Sequence, residues 1–270
     1  MNIRYFCATW GMTLPSLESN IRKIKSAGYD GVEMGAPAEA GDRQALRALL
    51  DELGLDLIIQ EYTAGNSPEE HAASFEEQYC RAVELRPRFV NSHTGKDYYT
   101  PDENVRILKR AEALEGQMDV PVVHEIHRGR ATFSAPAAMA LIERMPQLRF
   151  AADLSHWCCV HESLLQDQPE RVEQAIRHAY HIHARVGHAE GPQVNDPRAP
   201  EWNEAVETHL GWWQRIIDHH KELNSPEITI TPEFGPPVYM PTLPYTRQPV
   251  ADLWEINLHM RDLLKSRLKV

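Results

Sequence analysis

The chain has 270 residues, of which 42% are hydrophobic and 25% are charged, and this composition is typical of a soluble globular protein. Its formal net charge of −11 argues against an extended nucleic-acid-binding surface, although a bound cation and a few arginines can still attract a small anionic substrate. No apolar run reaches the roughly 18 residues that a membrane span needs, so we predict neither a nucleic-acid nor a membrane partner.

The first ten residues lack the charged and apolar regions of a signal peptide and are typical of a strand. The four cysteines form no CxxC motif, so neither a disulfide framework nor a structural zinc site is indicated. We therefore expect a cytoplasmic protein.

Apolar segments rich in β-branched or aromatic residues alternate with amphipathic segments at intervals of about 30 residues, the size of one βα unit. The predicted strands are 3–9, 30–34, 56–61, 88–92, 120–126, 149–153, 180–186 and 227–233. Strict alternation predicts parallel strands, and eight units without a linker predict an α/β fold, a single-domain (β/α)8 TIM barrel. An open doubly wound sheet is the alternative, but no GxGxxG motif follows the first strand.

Caps mark several helix boundaries. Ser67 and Thr100 are each followed by Pro and, three residues after the cap, by Glu, a pattern that predicts helix starts. Gly28 and Gly54 are predicted to end the first two helices in the left-handed conformation that glycine favours.

Residues 190–202 form an unusually long segment, rich in Pro, Gly and polar residues, after the seventh strand. Loops of this length in compact domains are usually functional or disordered. Because barrel active sites lie at the carboxyl ends of the strands, we expect this loop to lie over the barrel mouth.

Four predicted strands are apolar until they meet an acid or a histidine at the end: Glu125, Asp153, His183 and Glu233. In a barrel these ends converge on one mouth, where three carboxylates without a cation would repel each other. The set therefore predicts a site for one divalent metal ion, for which Mn, Co or Mg is favoured and Zn is also compatible. The alternative for Asp153 and Glu233 is a helix N-cap.

The ordered set of Glu, Asp-x-x-His, His-x-His and Glu on successive strands resembles the xylose-isomerase-like TIM barrels. This family includes ketose 3-epimerases, hydroxypyruvate isomerase, inosose dehydratase and, more distantly, endonuclease IV. The segment GYDGVEM at 28–34 is also similar to the family's second strand. The resemblance covers essentially the whole chain. It implies that Glu125, Asp153, His183 and Glu233 bind the metal, and that Glu125 and Glu233 exchange protons with the substrate carbon.

The resemblance also indicates residues that contact a carbohydrate-like substrate. His156 matches the family's substrate-contacting histidine, and His127-Arg128 stands where epimerases often have Asn-Arg. Arg185 lies on the same strand face as His183, so it could pair with a substrate oxygen or phosphate. The full set of expected contacts is His93, His127, His156, Arg185, His188, Trp10 and Trp157.

Other histidines and tryptophans are expected to be structural. His181 lies one layer deeper than His183 and is expected to support the site rather than to bind metal. Trp212 and Trp213 are predicted to lie in the core or at an oligomer contact. His219 and His220 are expected on a solvated helix face.

The chain also departs from its relatives. The loop sequence 196–198 and the third strand end 60–62 lack histidines that endonuclease IV needs, so DNA repair is not expected. Ala131 and Ala189 stand where epimerases carry an arginine and a glutamate, which leaves the substrate open.

The leading hypothesis is a divalent-metal-dependent isomerase or epimerase of a small polyhydroxylated carbonyl compound. It would act by proton abstraction and an enediolate that the metal stabilises. The alternatives are a metal-dependent dehydratase or lyase of a keto-sugar or cyclitol, and a non-catalytic sugar-binding barrel or complex subunit. Related barrels often form dimers or tetramers, so a homo-oligomer is compatible with the sequence.

Overall fold

Eight parallel strands pair with their neighbours in chain order, and the last pairs with the first, so that the sheet closes into a barrel. The computed structural model describes all residues from 1 to 270. The strands are β1 (Asn2–Ala8), β2 (Gly31–Gly35), β3 (Asp56–Tyr62), β4 (Val90–His93), β5 (Val122–Glu125), β6 (Phe150–Ala152), β7 (Ala179–His183) and β8 (Glu227–Thr231). The predicted (β/α)8 TIM barrel and all eight of its predicted strands are confirmed.

Nine α-helices surround the barrel, and a short 3-10 turn (Pro200–Trp202) precedes the eighth. The helices are α1 (Leu17–Ser26), α2 (Ala40–Leu53), α3 (Pro68–Val83), α4 (Pro101–Met118), α5 (Ala135–Arg144), α6 (Leu154–Val160), α7 (Pro169–Arg177), α8 (Asn203–Glu222) and α9 (Leu253–Arg267). None of them combines the length and the apolar character that crossing a bilayer would require.

The barrel interior has an apolar floor and a polar mouth. Five buried apolar side chains form a small cluster apart from the main core: Phe6, Ile58, Phe89, Val123 and Ala151. Because side chains alternate between the two faces of a strand, residues two positions further along point into the same interior. Above Ile58, Phe89, Val123 and Ala151 these next residues are Gln60, Asn91, Glu125 and Asp153. These apolar side chains therefore keep water out of the part of the barrel interior that lies beneath the polar layer.

The predicted helix boundaries are confirmed. The Ser67 hydroxyl accepts from the backbone of Glu70, and Thr100 forms a reciprocal capping box with Glu103. Gly54 has a φ of 59° at the end of α2, where a side chain would be strained.

The loop at 190–202 is tied to the mouth rather than loose. The amide of Val194 donates to the carbonyl of Val186 over 2.9 Å. Gln193 donates to the Gly235 carbonyl over 3.1 Å and accepts from the Gly235 amide over 2.7 Å. This pair of bonds fastens the loop after β7 to the loop after β8.

One of the two histidines near the end of α8 differs from the prediction. His220 is buried, and its Nε2 donates to the carbonyl of Ala179 over 2.8 Å. The prediction of a solvated His220 is wrong because this side of α8 packs against β7. Trp212 and Trp213, on the same helix, are buried in the core as predicted.

Glu61 is a buried acid on the outward face of β3. Neither of its oxygens makes a hydrogen bond of good geometry, although Ser92 lies beside the carboxyl. Burial is the main cause that raises the pKa of Glu61 well above its ordinary value of 4.5. The folded protein therefore loses stability as the pH rises from about 4.5 through this raised pKa, because only the unfolded chain ionises freely.

We expect the Glu61→Gln variant to be more stable than the wild type at neutral pH, by roughly 1 to 3 kcal/mol. Thermal unfolding followed over a pH series measures this difference, which should vanish below pH 4.5. The matched control is Glu143→Gln, at an exposed position. A pH-independent difference would contradict the explanation by ionisation.

Candidate metal centre

The four predicted ligands come together at the barrel mouth. Glu125 ends β5, Asp153 follows β6, His183 ends β7 and Glu233 lies two residues after β8. All four are buried, and one donor atom from each lies within 4.8 Å of the others. Ligands on opposite sides of a first-row divalent ion are about 4 Å apart. The spacing therefore matches one shared ion.

Two atoms of this set that could bind a metal ion, Glu125 Oε1 and His183 Nδ1, are buried without a hydrogen-bond partner. His183 Nδ1 lies 2.9 Å from Glu233 Oε2 and 3.4 Å from Glu125 Oε2, but neither contact has hydrogen-bond geometry. A buried polar atom without a partner is costly. Three carboxylates and an imidazole with two free donor atoms fit a divalent cation.

Glu33 on β2 orients His183. The Nε2 of His183 donates to Glu33 Oε1 over 2.8 Å, and Thr231 donates to the other oxygen. His181 Nε2 lies 3.3 Å from Glu33 Oε2, so this histidine supports the site from below as predicted. A carboxylate behind an imidazole fixes the ring so that its other nitrogen can bind metal. Glu33 was not predicted to belong to the site, although this acid stands inside the apolar strand GVEMG.

Each glutamate of the set is held by one amide. Asn91 Nδ2 donates to Glu125 Oε2 over 2.8 Å, and Gln60 Nε2 donates to Glu233 Oε1 over 2.9 Å. Both amides lie on inward faces of strands and were not predicted. They fix one oxygen of each carboxylate and thereby aim the other.

Arg185 pairs with two of the ligands. Its Nε donates to Asp153 Oδ2 over 3.1 Å, and its Nη2 donates to the same oxygen and, over 3.0 Å, to Glu233 Oε2. Asp153 Oδ1 accepts from the amide and the hydroxyl of Ser155, so Asp153 also caps α6. The sequence placed Arg185 at the mouth as a substrate contact, whereas in this structure its charge is matched by protein carboxylates.

Burial and charge act in opposite directions on the pKa values of these groups. Burial raises the pKa of Glu33 and Glu125, but neighbouring histidines outweigh it and hold both pKa values well below 4.5. Burial raises the pKa of Asp153, and Arg185 opposes that rise. Burial lowers the pKa of His183, but Glu233, Glu33 and Glu125 together raise it well above 6.5.

Four carboxyl groups, those of Glu33, Glu125, Asp153 and Glu233, surround one guanidinium and one imidazolium. Carboxyl groups therefore outnumber basic side chains here, and a divalent cation would balance that excess of acidic groups. The two cations are Arg185 and His183.

The raised pKa of His183 makes metal binding dependent on pH. The imidazole must release its proton before Nδ1 can bind a cation. We expect the apparent affinity to rise about tenfold per pH unit below this pKa and to level off above it. Isothermal titration in buffers of different protonation enthalpy measures the proton released, and binding without proton release at neutral pH would contradict an imidazolium at His183.

Three histidine rings line one wall of the mouth in series. The ring centroids of His93 and His127 are 4.8 Å apart, and those of His127 and His156 are 3.9 Å apart. His93 Nε2 lies 2.9 Å from Glu125 Oε2. Burial lowers the pKa of His127 to about 3 and that of His156 well below 6.5, so both rings are neutral at physiological pH.

Trp10 and Tyr239 continue this wall beside His127. Their rings meet edge to face at 5.1 Å, and the Tyr239 hydroxyl lies 3.1 Å from His127 Nε2. The guanidinium of Arg185 lies 4.6 Å from the Tyr239 ring. Tyr239 was not predicted because it lies in the irregular, proline-rich loop after β8, which has no periodicity to interpret.

The structure does not bring two of the predicted contacts into this cluster. Trp157 is fully buried, and its indole nitrogen donates to the carbonyl of Thr132 over 2.9 Å. His188 is half-buried and packs on Trp202, with ring centroids 4.8 Å apart. The geometry therefore gives neither residue a place among the groups that line the mouth.

Solved structures show the same fold at low sequence identity. The 3-keto-D-glucoside 4-epimerase YcjR from E. coli, in its apo form, has a TM-score of 0.64 at 11% identity, over 98% of this chain and 100% of that chain. The probable 3-DHS dehydratase AsbF from Bacillus anthracis, involved in petrobactin synthesis, has a TM-score of 0.62 at 14% identity, over 98% of this chain and 99% of that chain. A xylose isomerase-like TIM barrel protein from Mycobacterium smegmatis in complex with magnesium has a TM-score of 0.61 at 13% identity, over 93% of this chain and 89% of that chain.

These likenesses establish the fold and not the reaction. No curated protein matches the chain by sequence. The sequence profile described as "Xylose isomerase-like TIM barrel" matches residues 21–233, which is most of the chain. The protein therefore belongs to the xylose isomerase-like TIM barrel family.

Proposed function

We propose that the protein is a divalent-metal-dependent isomerase or epimerase of a small polyhydroxylated carbonyl compound. One observation carries this proposal. Glu125 and Glu233 enter the mouth from strands on different sides of the barrel, and each is fixed through one oxygen by an amide. Two aimed carboxylates beside one substrate site are the arrangement that removing and returning a carbon-bound proton requires.

Glu125, Asp153, His183 and Glu233 are the residues that would hold the ion. When bound, a divalent ion would polarise a carbonyl group and acidify the neighbouring C–H bond. One glutamate then takes the proton from carbon, and the other glutamate delivers a proton to the opposite face in an epimerase. In an isomerase a proton returns to the adjacent carbon instead.

The walls of the mouth suit a carbohydrate. The neutral imidazoles of His127 and His156 can donate to or accept from hydroxyl groups. The rings of Trp10 and Tyr239 offer apolar faces with polar edges, against which C–H groups of a sugar can pack. Likeness in fold to a 3-keto-D-glucoside 4-epimerase supports a substrate of this class.

A dehydratase is the second candidate, and the His127–Tyr239 pair favours it. Eliminating water needs a group that protonates a leaving hydroxyl, and the phenol of Tyr239, 3.1 Å from His127 Nε2, is a proton donor at the mouth that can turn to such a hydroxyl. Likeness in fold to a probable 3-DHS dehydratase supports this branch. Both reactions begin with proton removal beside a carbonyl.

The test is proton exchange on a panel of substrates. The metal-reconstituted protein is incubated in D2O with ketoses, keto-acids and keto-cyclitols, and the products are followed by NMR and mass spectrometry. An isomeric product that carries deuterium supports the isomerase or epimerase, whereas a product lighter by one water identifies the dehydratase. Tight binding of a sugar by the metal-loaded protein, without exchange or turnover of any compound, would indicate a non-catalytic sugar-binding barrel.

A further inference from the structure

Asp153 has no acceptor position left for a cation. A carboxylate offers about four lone-pair positions. Oδ1 accepts from the amide and hydroxyl of Ser155, and Oδ2 accepts from Nε and Nη2 of Arg185. A metal ion can reach Asp153 only if one of these donors gives way, and Arg185 is the donor bound to Oδ2, the oxygen that faces the site.

The same guanidinium also occupies a second ligand. Glu233 Oε1 accepts from Gln60, and Glu233 Oε2 accepts from Arg185 Nη2 over 3.0 Å. Glu125 and His183, by contrast, each keep an unpartnered atom and receive no bond from Arg185. The ligand set is thus divided into two residues that Arg185 does not contact and two that it holds.

We propose that Arg185 is a built-in competitor of the metal ion, a counter-cation for Asp153 and Glu233 that a divalent ion must displace. This inference rests on the proposed metal-dependent function. Guanidinium does not lose its charge in proteins, so at any working pH Arg185 offers one positive charge that Asp153 and Glu233 share. It also sets the metal affinity below what the four ligands alone would give.

The surroundings of Arg185 offer its guanidinium other partners than the two carboxylates. Its Nη1 is buried without a partner. The rings of Tyr239 and Trp10 lie 4.6 Å and 6.0 Å from the guanidinium carbon. Aromatic faces attract a cation, so a guanidinium that leaves Asp153 can settle against them.

The experiment measures the affinity for Mn²⁺ alone, by calorimetric titration at one fixed pH. We expect Arg185→Met to bind Mn²⁺ at least tenfold more tightly than the wild type, a gain of about 1.4 kcal/mol. Arg185→Lys keeps a charge but not the planar fork that holds both carboxylates, and it should fall between the two. Arg43→Met, which removes another buried arginine paired with a carboxylate, is the matched control and should leave the affinity unchanged.

Thermal unfolding gives a second readout that does not depend on activity. In the presence of a chelator, Arg185→Met should unfold at a lower temperature than Arg43→Met, and Mn²⁺ should close that gap. If Arg185→Met does not fold without metal, Arg185→Lys takes its place in the test. Tighter binding of Mn²⁺ by Arg185→Lys than by the wild type then supports the inference. Equal or weaker binding in the variants overturns it and leaves the proposed function standing. Absence of Mn²⁺ binding in the wild type and the variants overturns both.

Discussion

Replacing Asp153 and His183 together by alanine is expected to abolish binding of a divalent ion. The change removes one carboxylate and the only imidazole of the four-ligand set. Loss of even an outer partner of a ligand costs about 10- to 100-fold in metal affinity, so the loss of two direct ligands should cost roughly 10³-fold or more. Glu125 and Glu233 would remain, but two carboxylates without further ligands bind a divalent ion weakly.

Elemental analysis after reconstitution and gel filtration measures this loss. We expect about one equivalent of Mn, Co, Mg or Zn in the wild type and none in the double variant. The matched control is Asp218→Ala with His219→Ala, which removes the same two residue types from the outer side of α8. Circular dichroism confirms that the barrel is intact. A full equivalent of metal in the double variant would place the ion elsewhere.

The meeting of the four proposed ligands at the mouth was predictable because each is the polar residue that ends an apolar strand. The period of the strands, together with convergence of their carboxyl ends, brings such residues to one mouth without any knowledge of loops. Asp153 illustrates the limit of that reasoning. The sequence offered a metal ligand and a helix cap as alternatives, and in this structure its Oδ1 caps α6 while its Oδ2 faces the site.

The residues that orient the ligands were not predictable in the same way. Glu33 and Gln60 lie in the middle or near the end of ordinary strands, and their partners are 150 and 173 residues away in sequence. Closure of the barrel, rather than any local pattern, creates these contacts. Arg185 shows the same limit, since the strand period gives the face on which it lies but not whether a substrate or Asp153 neutralises it.

The two glutamates also permit a prediction that separates an epimerase from an isomerase. Glutamine in place of Glu125 or Glu233 keeps the size of the side chain and one oxygen for the metal, but it cannot carry a proton. Each variant should lose about 10²- to 10⁴-fold in turnover, the usual contribution of a positioned acid or base. Metal content should fall much less than in the double alanine variant, because no ligand position is emptied.

In an epimerase the two glutamates face opposite sides of the reacting carbon, so each variant retains one working base. Glu125→Gln should still exchange deuterium into one epimer without inverting it, and Glu233→Gln should do the same for the other epimer. NMR of both epimers in D2O, with the metal content measured on the same samples, reads this out. A single-base isomerase would lose exchange in one variant only. Inversion at the wild-type rate in either variant would show that its glutamate carries no proton, and the assignment of the pair would fail.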